Sequence, residues 1–361
     1  TMRTVLIILF ALHGLIHLLG FAKAFQFASI TQLTQPISRP LGLLWLASGL
    51  LFLIGATMYA LKLNLWWTPA MLGIILSQIL VFMFWQDAKF GTIANLLLLV
   101  CVSVGFGTWN LQKKKMAELS ELLSESAASQ TISEEALKDL PSLVSLWLYN
   151  SGALQNIRPS YATVSQVGEM KTTPDGNWYP FTASHWCISG PPGFLWAAQM
   201  NMFPGVDIAV RDKYVKGEAN MLVNLLSTIR LGDASGPDID QGALLRYLAE
   251  IVWVPSFAMS PHIQWEQLNN LQVRATIRYG EQTGSATFTF NRMGLPIKVE
   301  AQRYYYRKEG STLEPWLVTL DENSYKSFNG VAVPMKAEIT WKLKEGDYKW
   351  FKLELKEVKY F

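Results

Sequence analysis

The chain has 361 residues, of which half are hydrophobic and 16% are charged, with a formal net charge of +3. This length accommodates two domains, and the share of charged residues is low for a water-soluble protein. The small net charge, with no basic stripe interleaved with aromatic residues, argues against nucleic-acid binding. Cys101 and Cys187 lie in different parts of the chain, so no disulfide is expected and no oxidising compartment is indicated.

Residues 1–112 carry most of the apolar excess and are predicted to form a transmembrane region. An apolar run of about 20 residues crosses a bilayer as a helix, because backbone groups in lipid must be bonded internally. The runs are Val5–Phe25, Leu41–Leu61, Trp66–Trp85 and Thr92–Trp109, several with tryptophan at an end, as the membrane interface favours. We therefore expect four transmembrane helices in the cell inner membrane.

Lysine and arginine placement predicts how these helices are oriented. With the N-terminus inside, the inner segments carry Arg3, Lys62 and residues 113–115, all lysine, whereas the outer loops carry Lys23, Arg39 and Lys89. The excess of positive residues favours an inside N-terminus. An even number of crossings then predicts a cytoplasmic C-terminal domain.

His13 and His17 share a face of the first predicted helix, one turn apart, and Gly14 and Gly20 nearby allow another helix to approach. Two imidazoles in this arrangement can hold a metal or a haem or relay a proton. The only acid near the apolar runs is Asp87, however, and a metal normally requires more ligands. The favoured interpretation is that both histidines are hydrogen-bonded within the bundle, and no metal or other cofactor is expected.

Residues 113–160 form a charged connector rich in Ala, Leu, Glu and Ser, which predicts a helix broken near residues 126–130. A second, short helix is expected to start near Ser133, and a further helix is expected to start at Pro141 and end at Gly152. Its apolar side is expected to pack on the next domain rather than on the membrane surface. That side consists of Leu143, Leu146, Trp147 and Leu154.

Residues 161–361 alternate between apolar and polar side chains, for example along 272–279, and turn signals such as Asn329-Gly330 recur between the runs. One apolar face and one solvated face indicate antiparallel sheet. We count about ten strands in meander order. The predicted fold is an α+β membrane protein, in which four transmembrane helices precede an antiparallel half-barrel with a helix packed in its concave face.

That helix is predicted within Gly236–Pro255, GPDIDQGALLRYLAEIVWVP. Asp238 or Asp240 is expected to cap its start, and Pro255 to end it. An apolar face at helical spacing should pack on the sheet. That face consists of Leu244, Leu245, Leu248, Ile251 and Val252.

A second stripe of this helix, Arg246, Glu250 and Trp253, carries the candidate ligand site. Arginine before glutamate is the weaker order for a helical ion pair, and a carboxylate near a helix C-terminus opposes the dipole. Interactions within the helix therefore do not explain why a glutamate occupies position 250. The pair is either an ordinary, partly solvated ion pair or a polar group facing a ligand cavity. The other candidate ligand-binding residues are Asp212, Tyr214 and Trp196.

Several stretches between Leu140 and Tyr305 resemble a bacterial family of proteins with a domain of unknown function. They are LPSLVSLWLYNSGAL, GNWYPFTASHWCI, PPGFLWAAQM, RDKYVKGEANM, DASGPDIDQGALLRYLAEIVWVPS and QWEQL. Some relatives carry a membrane bundle that begins much like HGLIHLLGF. The resemblance implies a cytoplasmic domain but no established activity. In fold alone, the helix-plugged meander resembles the bacterial lipoprotein carriers, which hold acyl chains in an aromatic-lined groove and are periplasmic.

Three functional hypotheses follow. The first is a membrane-anchored domain that binds a lipid or other hydrophobic small molecule, with Arg246 meeting an acidic headgroup and Glu250 orienting it. The second is an enzyme on a lipophilic substrate that uses Asp212 or Glu250 as general base; no nucleophile elbow, phosphate loop or metal-spaced cluster assigns catalytic residues. The third is a protein-interaction scaffold whose partner the sequence does not identify.

Overall fold

A computed structural model describes residues 2–129, 132, 135–155, 158–307 and 310–361. The chain forms two compact units. One, the helical unit, comprises the residues up to Lys113 together with Leu226–Thr228. The other, the β unit, comprises Lys114–Leu225 and Ile229–Phe361.

The helical unit contains α1 (Met2–Ala24), α2 (Arg39–Ala60), α3 (Trp67–Met83), α4 (Trp85–Ala88) and the first part of α5 (Gly91–Ser124). Within the described residues, α1, α2 and α5 are long and apolar enough to cross a membrane. The expectation of four spanning helices is therefore corrected to three candidates.

The exception is α3, which has 17 residues. The chain leaves the helical conformation at Phe84, where φ is −116° and ψ is 41°, before the short α4 begins. At about 1.5 Å per residue, α3 is roughly 25 Å long, which is less than the apolar thickness of about 30 Å. The fourth predicted run is longer than expected, since α5 has 34 residues and continues past the three lysines to Ser124.

Glycines allow α1 and α2 to pack closely. A Cβ on Gly14 would lie 2.9 Å from the carbonyl oxygen of Gly49, and a Cβ on Gly20 would lie 2.2 Å from the ring of Trp45. Backbones can approach this closely only where the side chain is absent. The prediction that Gly14 and Gly20 permit a close helix approach is confirmed.

Both histidines of α1 are hydrogen-bonded within the helical unit. His13 Nε2 lies 2.9 Å from Asn95 Oδ1, and His17 Nε2 lies 2.9 Å from Ser77 Oγ. His17 Nδ1 lies 2.9 Å from the carbonyl oxygen of His13. No group of three or more potential metal ligands occurs among the residues that the structure describes.

Fifteen strands lie in the described part of the β unit. They are β1 (Tyr161–Met170), β2 (Tyr179–Ile188), β3 (Gly193–Phe203), β4 (Val206–Val215), β5 (Glu218–Leu225), β6 (Ile229–Ser235), β7 (Ile263–Gln267), β8 (Gln272–Tyr279), β9 (Gln282–Phe290), β10 (Pro296–Arg307), β11 (Gly310–Leu320), β12 (Tyr325–Phe328), β13 (Val331–Pro334), β14 (Lys336–Leu343) and β15 (Gly346–Tyr360). Thirteen form one curled antiparallel sheet in the order β6-β5-β4-β3-β2-β1-β15-β14-β11-β10-β9-β8-β7, and β12 pairs with β13 separately.

The sheet has more strands than the predicted ten and is not a simple meander. Strand β15 pairs with β1 on one side and with β14 on the other, so that Val164 lies opposite Val358. Three strands, β7, β12 and β13, have only four or five residues, which is too short for an alternating pattern to be distinct.

The predicted helix is α8 (Pro237–Glu250), which lies against β3 to β6 and β8 to β10 and thereby joins the two halves of the curled sheet. All five residues of its predicted apolar face are at most 1% exposed. After Glu250 the chain continues as 3₁₀ turns, Ile251–Trp253 and Pro255–Met259. The α-helix therefore ends five residues before the predicted stop at Pro255.

The predicted aspartate cap of α8 is wrong. The N-cap is Gly236, whose φ of +114° lies in the region that favours glycine. Asp240 Oδ1 instead accepts a 2.6 Å hydrogen bond from the backbone N–H of Ala219, and Asp238 accepts one from the Ser311 hydroxyl. Both aspartates tie the helix start to the sheet, because bonds to neighbouring strands compete with local capping.

The connector packs on the β unit. Helix α6 covers Glu135–Lys138 and α7 covers Ser142–Asn150. Trp147 is fully buried, with its ring 6.2 Å from that of Phe288, although Leu146 remains 42% exposed. Leu122, near the end of α5, is also buried against the sheet. Gln130, in the predicted helix break, and Ser133, at the predicted start of the short helix, lie outside the described residues.

Candidate functional site

Strand pairing aligns three side chains on the concave face. His185 on β2 lies opposite Trp196 on β3, which lies opposite Asp212 on β4. Directly opposite residues on antiparallel strands point to the same side of the sheet. Sheet register therefore places an imidazole, an indole and a carboxyl group side by side.

Helix α8 supplies the other half of the cluster. Arg246 donates from Nη1 to Asp212 Oδ2 at 2.7 Å and from Nε to Glu250 Oε1 at 2.9 Å. The second oxygen of Glu250 lies 3.4 Å from His185 Nε2. One arginine thus holds two carboxyl groups, one from the helix and one from the sheet.

Aromatic rings enclose Arg246. Its guanidinium carbon lies 5.0 Å from the ring centroids of both Phe194 and Trp196, which is within the range of a cation–π contact. The indole N–H of Trp196 donates a 2.8 Å hydrogen bond to Gln166 Oε1. This bond to Gln166 on β1 holds the Trp196 ring in place against Arg246.

A second arginine, Arg303 on β10, belongs to the same region but was missed by the sequence analysis. Its Nε donates to the carbonyl oxygen of Gly242 on α8 at 2.9 Å, and its guanidinium carbon lies 4.8 Å from the ring of Trp316. The sequence did contain a signal for Arg303. Alternate residues of a strand share a face, and Arg303 follows Val299 and Ala301, whose side chains are buried.

The cluster is mostly but not completely buried. The side chains of Arg246, Asp212 and Glu250 remain 13–15% exposed. Burial raises the pKa of Asp212, and the charges of Arg246 and Arg303 only partly offset this. Burial, together with the charge of Arg246, lowers the pKa of Arg303 to about 10. Burial also lowers the pKa of His185 to about 4, so its imidazole is neutral at pH 7.

Buried polar atoms near the cluster and along the helix lack hydrogen-bond partners within the described part of the protein. They include Glu250 Oε2, His185 Nδ1, Trp253 Nε1, Tyr214 Oη and Trp316 Nε1. The His185–Glu250 contact does not have hydrogen-bond geometry. Because leaving a buried polar group unbonded is costly, bonds from water or a ligand are expected here.

The structure brings together four of the six predicted ligand-binding residues: Arg246, Glu250, Asp212 and Trp196. Tyr214 is also on β4 but contacts the ring of Tyr279 on β8, with centroids 6.5 Å apart. Trp253 lies in the 3₁₀ turn after α8, and its backbone oxygen accepts a hydrogen bond from the Tyr360 hydroxyl. No described contact joins Tyr214 or Trp253 directly to Arg246 or Glu250.

The space beneath the apolar face of α8 is filled by protein side chains. Leu244 and Leu248 are fully buried, and a Cβ on Gly284 would lie 2.7 Å from Leu245. A ligand cannot enter where the packing is this close. The polar stripe, by contrast, retains solvent access at Arg246 and Glu250.

Comparison with known proteins places the β unit in a family. The model of a family of unknown function, DUF6544, matches residues 130–353, which is more than half of the chain. No curated protein matches the chain.

Two solved structures are similar in fold. One is an outer membrane lipoprotein-sorting protein domain from Vibrio parahaemolyticus, with 10% identity, a TM-score of 0.30, and coverage of 56% of this chain and 85% of that chain. The other is a DUF1329 family protein from Desulfovibrio piger, with 9% identity, a TM-score of 0.34, and coverage of 62% and 93%. Both scores are too low to carry an argument about function.

Proposed function

The chain belongs to the DUF6544 family, whose function is unknown, and from the geometry of its site we propose that the β unit binds a lipid or another hydrophobic ligand with a polar headgroup. The observation that carries this proposal is the incompletely bonded cluster of Arg246, Asp212 and Glu250, which is set among aromatic rings and remains partly exposed. Polar groups that stay partly exposed beside aromatic rings offer contacts both to a headgroup and to an apolar chain.

In this proposal, the headgroup binds to the polar stripe and the apolar part lies along the rings. Arg246 uses Nε and Nη1 for its two carboxyl partners, so Nη2 is left for an acidic headgroup oxygen. Arg303, which has no carboxylate within ion-pairing distance among the described residues, provides further positive charge. Glu250 holds Arg246 in position.

We further propose that the apolar helices anchor the chain in the inner membrane. Residues 1–112 form the membrane region, 113–160 the connector and 161–361 the ligand-binding domain, which faces the cytoplasm. Anchoring would raise the local concentration of a membrane-derived ligand, and burial of its apolar surface would contribute about 25 cal/mol per Å².

The proposal is tested by binding of a fluorescent fatty acid to the full chain in lipid nanodiscs. Bulk lipids surround any membrane protein, so the informative comparison is between variants. We expect Arg246→Gln to weaken binding about tenfold, which corresponds to about 1.4 kcal/mol. Arg230→Gln, in the exposed ion pair with Asp233, should leave binding unchanged.

Hydrogen exchange of β2 and β4 shows whether Arg246→Gln is folded, and Arg303→Gln provides a second variant. Equal affinities of the native chain and both cluster variants, with protected strands, would contradict the proposal.

A second candidate function is catalysis on a lipophilic substrate, which the raised pKa of Asp212 and the His185–Glu250 contact favour. Glu250→Gln separates the two functions. A binding protein should retain most of its affinity, whereas loss of a general base should reduce turnover by about 10²- to 10⁴-fold.

A further inference from the structure

The β unit contains a cavity of about 330 Å³ beside the 3₁₀ turns that follow α8. Its buried lining residues come from three separate stretches of the β unit. They are Ala153, Pro159, Val254, Pro255, Ser256 and Val331. Three exposed residues, Ser129, Asn329 and Phe361, form its rim. The cavity therefore has a buried floor and an opening to solvent.

The cavity walls are held in place by bonds between distant parts of the chain. The Tyr360 hydroxyl donates to the carbonyl oxygen of Trp253 at 2.9 Å, which joins β15 to the turn after α8. The N–H of Ala332 donates to the carbonyl oxygen of Ser151 at 2.8 Å, which joins β13 to the end of α7. A cavity with walls fixed in this way is preformed, so a ligand need not order it.

The lining determines the class of ligand. All ten lining residues are uncharged, and seven of them are apolar or aromatic. A charged group placed here would lose its hydration without gaining an ionic partner, which is costly. The volume lies at the lower end of the range of about 300–1,000 Å³ for small-molecule sites. The cavity thus suits one small molecule without charge.

We propose that this cavity is a second binding site, which takes a neutral and mainly hydrocarbon molecule such as a medium-chain alcohol. The hydroxyl of such a ligand can bond with Ser256 or Asn329, and its alkyl chain packs on Val254, Pro255 and Val331. The residues of the first site, Arg246, Asp212 and Glu250, do not line the cavity. The two sites therefore bind ligands of different charge.

The test uses decanol carrying a photoactivatable diazirine, incubated with the full chain in lipid nanodiscs and mapped by peptide mass spectrometry after irradiation. We expect labelled peptides to contain residues 254–256, Val331 or Tyr360. The ionised analogue, decanoate with the same diazirine, should label these peptides about tenfold less. Labelling confined to other parts of the β unit, or equal labelling by both probes, would overturn the proposal.

Substitutions identify the cavity as the labelled site. Val331→Phe places a ring in the cavity and should reduce labelling about tenfold. Ser327→Phe adds the same ring at an exposed position of β12 and should leave labelling unchanged. If hydrogen exchange shows that Val331→Phe disturbs β13, Ala153→Leu fills the cavity from the other side. Labelling that neither cavity-filling variant reduces would contradict the proposal.

The first site can be separated from the second by Glu250→Gln. This variant should leave decanol labelling of residues 254–256 unchanged, whatever its effect on fatty-acid binding. Labelling that depends on Glu250 but not on Val331 would place the probe in the first site and overturn the proposal of a second.

Discussion

Arg246 is the residue on which the polar cluster depends, since it bonds to both Asp212 and Glu250. Removing one partner of a mostly buried ion pair leaves the other charge without compensation, and such losses are larger than those of exposed pairs. The ion pairs of the site therefore also contribute to the stability of the β unit.

Arg246→Ala is predicted to lower the free energy of unfolding of the β unit by about 3 kcal/mol. Arg230→Ala, which breaks a pair exposed at 61% and 41%, should cost less than about 1 kcal/mol. Urea unfolding of the full chain, followed by hydrogen exchange of β-unit peptides, measures both. Losses of equal size would show that Arg246 contributes no more than a surface charge.

The lowered pKa of His185 predicts that the stability of the β unit depends on pH. Its pKa is lowered from 6.5 to about 4, mainly by burial, with Glu250 opposing this effect and Arg246 adding to it. Below pH 6.5 the unfolded chain binds a proton at this histidine that the folded chain does not bind. The folded state is therefore destabilised as pH falls from 6.5 to 4, by about 3 kcal/mol in total.

His185→Gln should remove this part of the pH dependence and leave the contributions of other groups. The measurement is urea unfolding at several pH values between 4 and 7, read from the exchange of β2 peptides. Identical slopes for the native chain and the variant would contradict the prediction.

At the scale of elements, α8 is the main support of the curled sheet because it packs on strands from both of its halves. Leu248 is fully buried in this packing, whereas Leu231 on β6 is 55% exposed. Leu248→Ala should cost about 3 kcal/mol of unfolding free energy, since it removes buried contacts and leaves a cavity. Leu231→Ala should change stability by less than about 0.5 kcal/mol.

The two variants, Leu248→Ala and Leu231→Ala, are compared by the shift in the urea midpoint of unfolding, read from the hydrogen exchange of β-unit peptides. A small loss for Leu248→Ala would mean that α8 can detach from the sheet at little cost. In that case, the hollow beneath its apolar face would be accessible to ligands.

For the whole molecule, the number of membrane crossings determines the side on which the β unit lies. Three helices meet the requirements of length and composition, and α3, with 17 residues, is at the lower limit of about 17 residues for a span. With the predicted inside N-terminus, an even number of crossings would give the proposed cytoplasmic β unit, whereas three crossings would place it on the outer side.

This orientation is tested with single cysteines in a variant that lacks Cys101 and Cys187. Ser29→Cys, between α1 and α2, should react with a membrane-impermeant maleimide in intact bacterial cells. Ser327→Cys, on the exposed face of β12, should react only after the membrane is permeabilised. Labelling of Ser327→Cys in intact cells would mean an odd number of crossings or the opposite orientation.

Sequence alone determined the features that depend on periodicity and composition. Apolar runs predicted the long helices, alternation predicted an antiparallel sheet, and helical spacing predicted the buried face of α8, since all three record which side chains avoid water. For Glu250, which neither the helix dipole nor the pairing order favours, the sequence left open an ordinary ion pair with Arg246 or a pair that faces a ligand. The structure shows the ion pair itself, partly exposed.

The tertiary structure decided the features that depend on contacts between distant residues. Strand register joined His185, Trp196 and Asp212, and the fold brought Arg303 to the same region. Bonds to the sheet, not capping, occupy Asp238 and Asp240. The residues that line the cavity between Val254 and Val331 likewise come from five distant stretches of the chain. Sequence periodicity specifies which face of an element is buried, but packing in three dimensions specifies what that face meets.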